Sequence, residues 1–196
     1  PGGNTNATAE HTLALLLSLS RKIPKADLTT HKGEWAKKQL KGNEVRGKTI
    51  GIIGFGNVGR RFAEFCQALG LNILIFSKSF EKIKNDYPNY ISANLNVILD
   101  KADIISFHCK PKNDGSSIIN AKEINRMKDN AFIINTARGN LVSENDLADA
   151  LKNNKISGAA LDVFSNEPAN KNILFGIDNV ILTPHIAAST EEAQLV

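Results

Sequence analysis

The chain has 196 residues, of which 42% are hydrophobic and 22% are charged, with 14 glycines and 6 prolines. These proportions are typical of a folded domain and exclude a disordered or collagen-like chain. The first apolar run, Leu13–Leu17, is far shorter than the roughly 20 residues that cross a bilayer. No basic segment precedes it, so the sequence predicts neither a membrane span nor a signal peptide.

The formal net charge is +4, from 24 Lys and Arg against 20 Asp and Glu. The lysines are spread along the whole chain and are not interleaved with aromatic residues, which favours a solvated surface over a nucleic-acid site. The two cysteines, Cys66 and Cys109, have no metal-binding or C-x-x-C spacing. We therefore expect free thiols in a cytoplasmic protein with no metal site and no nucleic-acid or membrane partner.

The first 40 residues predict helices, which a polar linker at Lys41–Lys48 follows. Thr8–Ser20 is a predicted helix, and Pro24 stands where a second helix could begin. Four residues lie on the face that we expect the first helix to bury: Leu13, Leu16, Leu17 and Ser20. The single methionine is Met127, so we also expect that Pro1 is not a translation start and that the chain is a piece of a longer protein.

From residue 49 onward, short apolar runs alternate with helix-like segments. The predicted strands are Thr49–Ile53, Asn72–Phe76, Asp103–Phe107, Ala131–Asn135, Ser157–Leu161 and Val180–Leu182. The predicted helices are Asn57–Leu69, Asn94–Lys101, Ala121–Met127 and Ser143–Asn153, the last capped by Ser143 with Asp146 three residues later. Strands that are almost continuously apolar are buried on both faces, so the pattern predicts an α/β fold with a doubly wound parallel sheet.

A glycine motif joins the first predicted strand to the next helix. Gly54 would allow the tight turn, Gly56 would let the backbone approach a pyrophosphate, and Gly59 would let the helix pack closely on the strand. The alternative is a glycine-rich turn without a ligand. Because a second strand follows, the pattern favours a Rossmann-type domain that binds NAD or NADP.

The residue that reads the ribose in such domains is an acid about 20 residues after the first glycine. That position holds Ser77, which is 77 − 54 = 23 residues after Gly54, and Lys78 follows it. A serine can bond a ribose hydroxyl without repelling a 2′-phosphate, and a lysine could attract one. The alternative is that Ser77 is a neutral substitution and that other contacts still select NAD. The sequence predicts use of both cofactors, with a tilt toward NADP.

Polar residues directly after strands are candidates for chemistry, because doubly wound sheets bind ligands at the carboxyl ends of their strands. These residues are His108, Cys109, Thr136, Ala137, Arg138, Asp162, Pro184 and His185. His185 and His108 are equally good candidates for a general acid/base, and each could instead be a structural histidine. His11 and His31 lie in helical stretches and are assigned to packing or to the surface.

Two charged residues leave alternatives open. Arg138 ends an apolar strand, so it is expected either to meet an anionic ligand or to pair with a nearby acid. Glu167 lies on a loop, and spacing alone pairs it with nothing, so a solvated acid is the simpler interpretation.

Four motifs together resemble the D-2-hydroxyacid dehydrogenase family, and most closely its 3-phosphoglycerate dehydrogenase branch. They are Gly51–Arg60, Ile134–Gly139, Ala159–Phe164 and Leu182–His185. The resemblance extends over essentially the whole chain. Two positions depart from it: Ser77 replaces the usual acid, and Ala187 stands where the branch usually has glycine.

The resemblance implies residue roles. Arg138 would bind the substrate carboxylate, His185 would exchange the proton, and Glu167 would hold that histidine. Asp162 would contact the nicotinamide carboxamide. The full set of expected cofactor positions is Gly54, Gly56, Asn57, Val58, Gly59, Ser77, Lys78, Cys109, Thr136, Ala137, Arg138, Asp162, His185 and Ala187. His108 would then be a structural neighbour.

The resemblance also implies an activity, an NAD(P)-dependent oxidation of a D-2-hydroxy acid or the reverse reduction, with 3-phosphoglycerate as first substrate. Glyoxylate or hydroxypyruvate reduction is the alternative within the class, and a dinucleotide-sensing corepressor is the alternative outside it.

Residues 1–196 would form the nucleotide-binding domain, with a substrate domain outside this chain. A helical arm over about residues 1–40 would pack against a second copy in a homodimer. Alone, the chain would bind cofactor but turn over little small 2-hydroxy or 2-oxo acid.

Overall fold

The computed structural model describes residues 3–194, which form one seven-stranded sheet flanked by helices. The strands are β1 (Thr49–Ile53), β2 (Asn72–Phe76), β3 (Tyr90–Ser92), β4 (Ile104–Phe107), β5 (Phe132–Asn135), β6 (Gly158–Leu161) and β7 (Val180–Leu182). The α-helices are α1 (Thr5–Arg21), α2 (Ile23–His31), α3 (Asn57–Ala68), α4 (Leu95–Lys101), α5 (Ala121–Arg126), α6 (Glu144–Lys152) and α7 (Glu191–Gln194). Short 3₁₀ turns lie at Phe80–Lys82, Lys84–Asp86 and Gly139–Leu141.

The sheet confirms the doubly wound α/β prediction. Its strand order is β3-β2-β1-β4-β5-β6-β7, and every pairing is parallel. The order reverses between β1 and β4, which is where such sheets form their ligand crevice. The glycine motif after β1 and His108 after β4 lie on the two sides of that reversal.

The sheet contains one strand that the sequence pattern did not predict. Edge strand β3 has three residues and pairs only with β2. Tyr90 is buried, whereas Ile91 is 61% exposed, so the segment has no apolar run long enough to be recognised. The predicted strands at Asp103, Ala131 and Ser157 each begin one residue later in the structure.

Two apolar layers cover the sheet. One contains residues of α4, α5 and α6, such as Leu99, Ile124 and Leu147. The other contains residues of α1 and α3, such as Leu16 and Phe62. No helix within residues 3–194 combines the length and the apolar character needed to cross a membrane.

Helix α1 packs against its own sheet rather than projecting as an arm. It contacts α3 and strands β5, β6 and β7. Its buried face is Ala7, Ala9, Thr12, Leu15, Leu16, Leu19 and Ser20. The predicted face was therefore partly wrong, since Leu17 is 36% exposed and Leu13 only partly buried. The helix ends at Arg21, with Lys22 in the left-handed conformation.

The segment after α1 contributes no residue to the buried core. Helix α2 begins at Ile23, next to Pro24 as predicted, and it buries none of its residues. It ends at His31, so the predicted helical arm does not extend through residue 40. The side chain of Trp35, just beyond it, is 86% exposed.

Candidate functional site

The glycine motif forms a tight turn that leaves space for a ligand. Gly54 has φ +99°, and a Cβ there would overlap the carbonyl oxygen of His108. A Cβ at Gly59 would overlap the carbonyl oxygen of Gly54, so α3 packs closely on the turn. Beside Gly56 the space is open, and no side chain caps α3 at this end in the described residues. The first amides of α3 are therefore available to an anion such as a pyrophosphate.

A cleft of about 280 Å³ lies beside this turn, at the carboxyl ends of the strands. Among its lining residues are Val58, Cys109, Thr136, Ala137, Arg138, His185 and Ala187. Lys110 also lines it, and no carboxylate does so within residues 3–194. A cleft with two cations and no acid suits an anionic ligand. Another cleft, of about 360 Å³, lies at the amino ends of β5 and β7, where ligand sites of this fold are not expected.

His185 and Glu167 form a close pair at this edge of the sheet. The Nδ1 atom of His185 lies 2.6 Å from Oε2 of Glu167, and Oε1 of Glu167 accepts the Phe164 amide at 2.9 Å. Burial raises the pKa of Glu167, but these two hydrogen bonds outweigh it and leave the pKa below its usual value. The ionised carboxylate accepts a hydrogen bond from Nδ1–H, which leaves Nε2 to exchange protons with a ligand.

The backbone at His185 is unusual, with φ +54° in the left-handed region. A non-glycine residue is seldom held there unless its surroundings fix it. Asp162, directly after β6, supplies that restraint. Its carboxylate accepts the hydroxyl of Thr183 at 2.6 Å and the amides of Ile186 and Ala187 at 2.8 and 2.9 Å. The loop is thus fastened on both sides of His185.

Asp162 is fully buried and does not line the cleft. Burial raises the pKa of its carboxyl, yet the hydrogen bonds from His11, Thr183, Ile186 and Ala187 bring that pKa below its usual value. A carboxylate ionised in this position is a loop anchor. Its expected contact with the nicotinamide stays a prediction.

His108 differs from His185 in its surroundings. Its Nε2 lies 2.8 Å from Oγ of Ser106, and its ring centroid is 5.1 Å from that of Phe62. Burial lowers the pKa of His108 to about 3, so the ring is neutral at physiological pH. A general acid works best with a pKa near the working pH, so this low pKa disfavours His108 for that role.

Arg138 follows β5 in a turn that Asn135 shapes. The side-chain amide of Asn135, fully buried, donates to the Arg138 carbonyl at 2.8 Å and accepts the Ala137 amide at 3.1 Å. The guanidinium of Arg138 donates to the Ala137 carbonyl at 2.6 Å and makes no ion pair in the part of the chain that is described. The expected alternative, a nearby acid partner, is not found there. The polar Asn that ends an apolar strand was the signal for this turn.

The position expected to bind the ribose holds a serine and an exposed lysine, Ser77 and Lys78. Ser77 directly follows β2, and its hydroxyl lies 2.9 Å from that of Ser79. Lys78 is exposed.

Burial raises the pKa of Cys109 to about 11, so its thiol is protonated where it lines the cleft. Among residues 3–194, no cluster of three or more His, Cys, Asp or Glu side chains could hold a metal ion.

His11 lies at the site, although the sequence gave no reason to place it there. Its Nε2 lies 3.1 Å from the Thr183 hydroxyl and 3.4 Å from Oδ1 of Asp162. His11 was expected to serve packing or the surface, and the structure adds a polar contact to the loop that carries His185. A histidine on α1 has no distinctive spacing to residues 172 positions later, so sequence spacing alone could not reveal the contact.

Comparisons with known proteins identify the family of this chain. The family described as "D-isomer specific 2-hydroxyacid dehydrogenase, NAD binding domain" matches residues 13–187. The D-3-phosphoglycerate dehydrogenase of Archaeoglobus fulgidus is 42% identical over 196 residues, which are all of this chain and 37% of that protein. The hydroxypyruvate reductase of Thermotoga maritima is 39% identical over 198 residues, covering 99% of this chain and 63% of that protein.

A solved structure has the same fold. An acyclic imino acid reductase in complex with NADPH and D-Arg superposes with a TM-score of 0.90 at 36% identity, covering all of this chain and 62% of that one. The chain thus spans between 37% and 63% of the length of these relatives.

Proposed function

Because this chain belongs to the NAD-binding-domain family of the D-isomer specific 2-hydroxyacid dehydrogenases, we propose that it is the cofactor-binding part of an enzyme that oxidises a D-2-hydroxy acid or reduces its 2-oxo acid. The observation that carries this proposal is the His185–Glu167 pair beside a cleft that Arg138 also lines. The open space at Gly56 and the uncapped start of α3 fit a dinucleotide.

The residues divide the work of a hydride transfer. When bound, the nicotinamide supplies the acceptor or donor of the hydride at the C2 carbon. Arg138 holds the substrate carboxylate through its forked N–H donors. His185 takes the hydroxyl proton at Nε2 during oxidation and returns it during reduction. Glu167 keeps Nδ1 in place and stabilises the charged imidazole.

We propose 3-phosphoglycerate as the substrate, with hydroxypyruvate or glyoxylate as the alternative. The names of the Archaeoglobus and Thermotoga relatives support these two choices respectively. Residues that read the rest of the substrate would lie in a second domain outside this chain, so the 196 residues alone are expected to bind cofactor and turn over little.

A panel of substrates tests this proposal on the intact protein. We expect a kcat/KM for 3-phosphohydroxypyruvate at least about tenfold above that for hydroxypyruvate or glyoxylate, because a phosphate contributes charge-assisted hydrogen bonds. A preference for either smaller acid would contradict the phosphoglycerate assignment. Tight NADH binding without turnover of any acid would contradict the enzyme proposal and favour a dinucleotide-sensing binding protein.

The choice between NAD and NADP depends on Ser77 and Lys78. We propose that both cofactors bind, with NADPH preferred, since no acid at the end of β2 repels a 2′-phosphate. Ser77→Asp should weaken NADPH binding about tenfold or more through charge repulsion, with NADH less affected. Lys78→Ala should weaken NADPH binding more than NADH binding.

Dissociation constants for NADH and NADPH on this chain provide the measurement. Lys82→Ala is the matched control, because Lys82 is exposed in the neighbouring 3₁₀ turn. It should leave the ratio of the two constants unchanged. Wild-type protein that binds NADH a hundredfold more tightly than NADPH would refute the argument from Ser77 and Lys78.

We propose a homodimer that uses the segment after α1. Three apolar side chains of this segment, Ile23, Leu28 and Trp35, are 52%, 56% and 86% exposed. No residue of helix α2 is fully buried against the rest of the chain. A second copy of the same segment would cover these side chains, and their apolar area would supply the driving force.

Trp35 is the only tryptophan, so its fluorescence reports directly on this surface. We expect a dimer by sedimentation at roughly tens of micromolar, with Trp35 emission shifted to the blue. Leu28→Lys should give a monomer with red-shifted emission, whereas Ile91→Lys, at an exposed site on β3, should not. A wild-type monomer at that concentration would contradict the proposal.

We also propose a cytoplasmic location without a nucleic-acid or membrane partner. Cys66 is a buried free thiol and Cys109 a partly buried one, which fits a reducing compartment. The basic residues are distributed along the chain, without the aromatic interleaving of a nucleic-acid surface.

A further inference from the structure

Two consecutive residues of α1 reach two different loops of the candidate site. His11 contacts the loop after β7, with its Nε2 3.1 Å from the Thr183 hydroxyl and 3.4 Å from Oδ1 of Asp162. Thr12 contacts the turn after β5, with its hydroxyl 2.8 Å from that of Thr136. The Thr12 side chain is fully buried and that of His11 is 18% exposed.

The side chain of Asp162 connects the His11 contact to the loop that carries His185. Asp162 accepts hydrogen bonds from Thr183 on one side of His185 and from Ile186 and Ala187 on the other. His11 is the group from α1 that lies against this buried carboxylate and its threonine. Because the Thr183 hydroxyl donates to Asp162, it accepts from Nε2 of His11, and removing His11 takes the donor from that partly buried hydroxyl, which is a costly loss.

The Thr12 contact leads to Arg138. The Thr12 hydroxyl donates to the Thr8 carbonyl at 2.7 Å, and a hydroxyl has one proton to donate. The hydroxyl of Thr136 is therefore the donor in the bond between the two threonines. Thr136 opens the turn whose third residue is Arg138, so the bond fixes the start of that turn to α1.

We propose that His11 and Thr12 are positioning residues for His185 and Arg138, which both line the cleft. The docking of α1 does not require them, because Ala9, Leu15, Leu16 and Leu19 already pack on the sheet. Polar groups in such an interface must all be partnered, which makes the arrangement directional where apolar packing is not. The kinetic part of this proposal rests on the proposed dehydrogenase function.

Matched pairs of variants separate positioning from packing. His11→Phe and Thr12→Val remove the hydrogen-bonding groups at similar volume, whereas His11→Gln and Thr12→Ser keep them. His31→Gln is the control, since the side chain of His31 is 81% exposed on α2. The first measurement is amide hydrogen exchange on this chain, which requires no activity.

In His11→Phe we expect the Ile186 and Ala187 amides to exchange at least about tenfold faster, with the Ala137 amide unchanged. In Thr12→Val we expect the Ala137 amide to exchange at least about tenfold faster, with the Ile186 and Ala187 amides unchanged. The Gln and Ser variants and His31→Gln should match the wild type. Uniform acceleration of all three amides in both variants, or no acceleration, would overturn the proposal and leave α1 as ordinary packing.

Kinetics on the intact protein are the second measurement. We expect His11→Phe to lower kcat by about tenfold to a hundredfold with little change in the KM of the acid, because it displaces the proton-exchanging group. Thr12→Val should mainly raise that KM, because it displaces the carboxylate anchor. Equal losses in both parameters for both variants would contradict the assignment. If no acid is turned over, the proposed function has failed, and the exchange measurement still decides the positioning claim.

Discussion

His185→Ala is expected to lower kcat by about 10²–10⁴, the range for removal of a general acid/base. The imidazole is held at Nδ1 by Glu167 at 2.6 Å and lines the cleft, whereas His108, which also lines it, has a pKa of about 3 and is poorly suited to take over the proton. The measurement is steady-state turnover of the intact protein with the best acid of the substrate panel.

Two further variants sharpen this prediction. Glu167→Gln keeps a hydrogen-bonding partner for His185 but removes the negative charge, so we expect a smaller loss of kcat than for His185→Ala, about tenfold. His31→Gln, on the exposed face of α2, should retain wild-type turnover. Near-normal turnover in His185→Ala would contradict the assignment, and His108 would become the candidate despite its low pKa.

The central fold was predictable because its signals are local. Ile104–Phe107 is apolar at three of four positions and buried at all four, and a strand buried on both faces must lie inside a covered sheet. The glycine motif is local in the same sense, because the close contacts that require Gly54 and Gly59 lie within one turn and the neighbouring strand end. No distant residue was needed for either prediction.

The errors arise where tertiary contacts decide. The apolar residues of α1 leave two possible faces, and packing on β5–β7 selected the one with Leu15 and Leu19 instead of the one with Leu17. Strand β3 exists because β2 offers an open edge, and its own three residues carry little pattern. The spacing of apolar residues predicts neither the buried face of α1 nor the existence of β3.

The candidate site shows the same division. Strand ends predicted that Arg138 and His185 lie at one edge of the sheet, and both line the same cleft. Their roles stay a prediction. The pairing of Glu167 with His185 came from the family resemblance, since 18 residues of loop and strand separate them. A buried anchoring carboxylate such as Asp162 looks in sequence the same as one that faces a ligand.

Arg138→Ala is expected to lower kcat/KM by about 10²–10³, or about 3–4 kcal/mol, by removing the anchor of the substrate carboxylate. The guanidinium is exposed at the cleft, and in the described residues no acid competes for it, so the N–H donors other than the one bonded to the Ala137 carbonyl are available to an anionic ligand. The measurement is kcat/KM on the intact protein, with the NADH dissociation constant as a separate readout. That constant should change far less than kcat/KM.

Arg138→Lys distinguishes a forked anchor from a simple charge. Lysine retains the positive charge but offers no pair of parallel N–H donors, so a bidentate contact predicts that it recovers little of the lost kcat/KM. Full recovery with lysine would mean that the site needs only a point charge. If Arg138→Ala instead weakened NADH binding as much as it lowered kcat/KM, Arg138 would serve the cofactor rather than the acid, and the carboxylate anchor would have to be sought among residues outside the cleft described above. The Asn135 amide, which builds the turn in either case, predicts that Asn135→Leu disturbs both functions together.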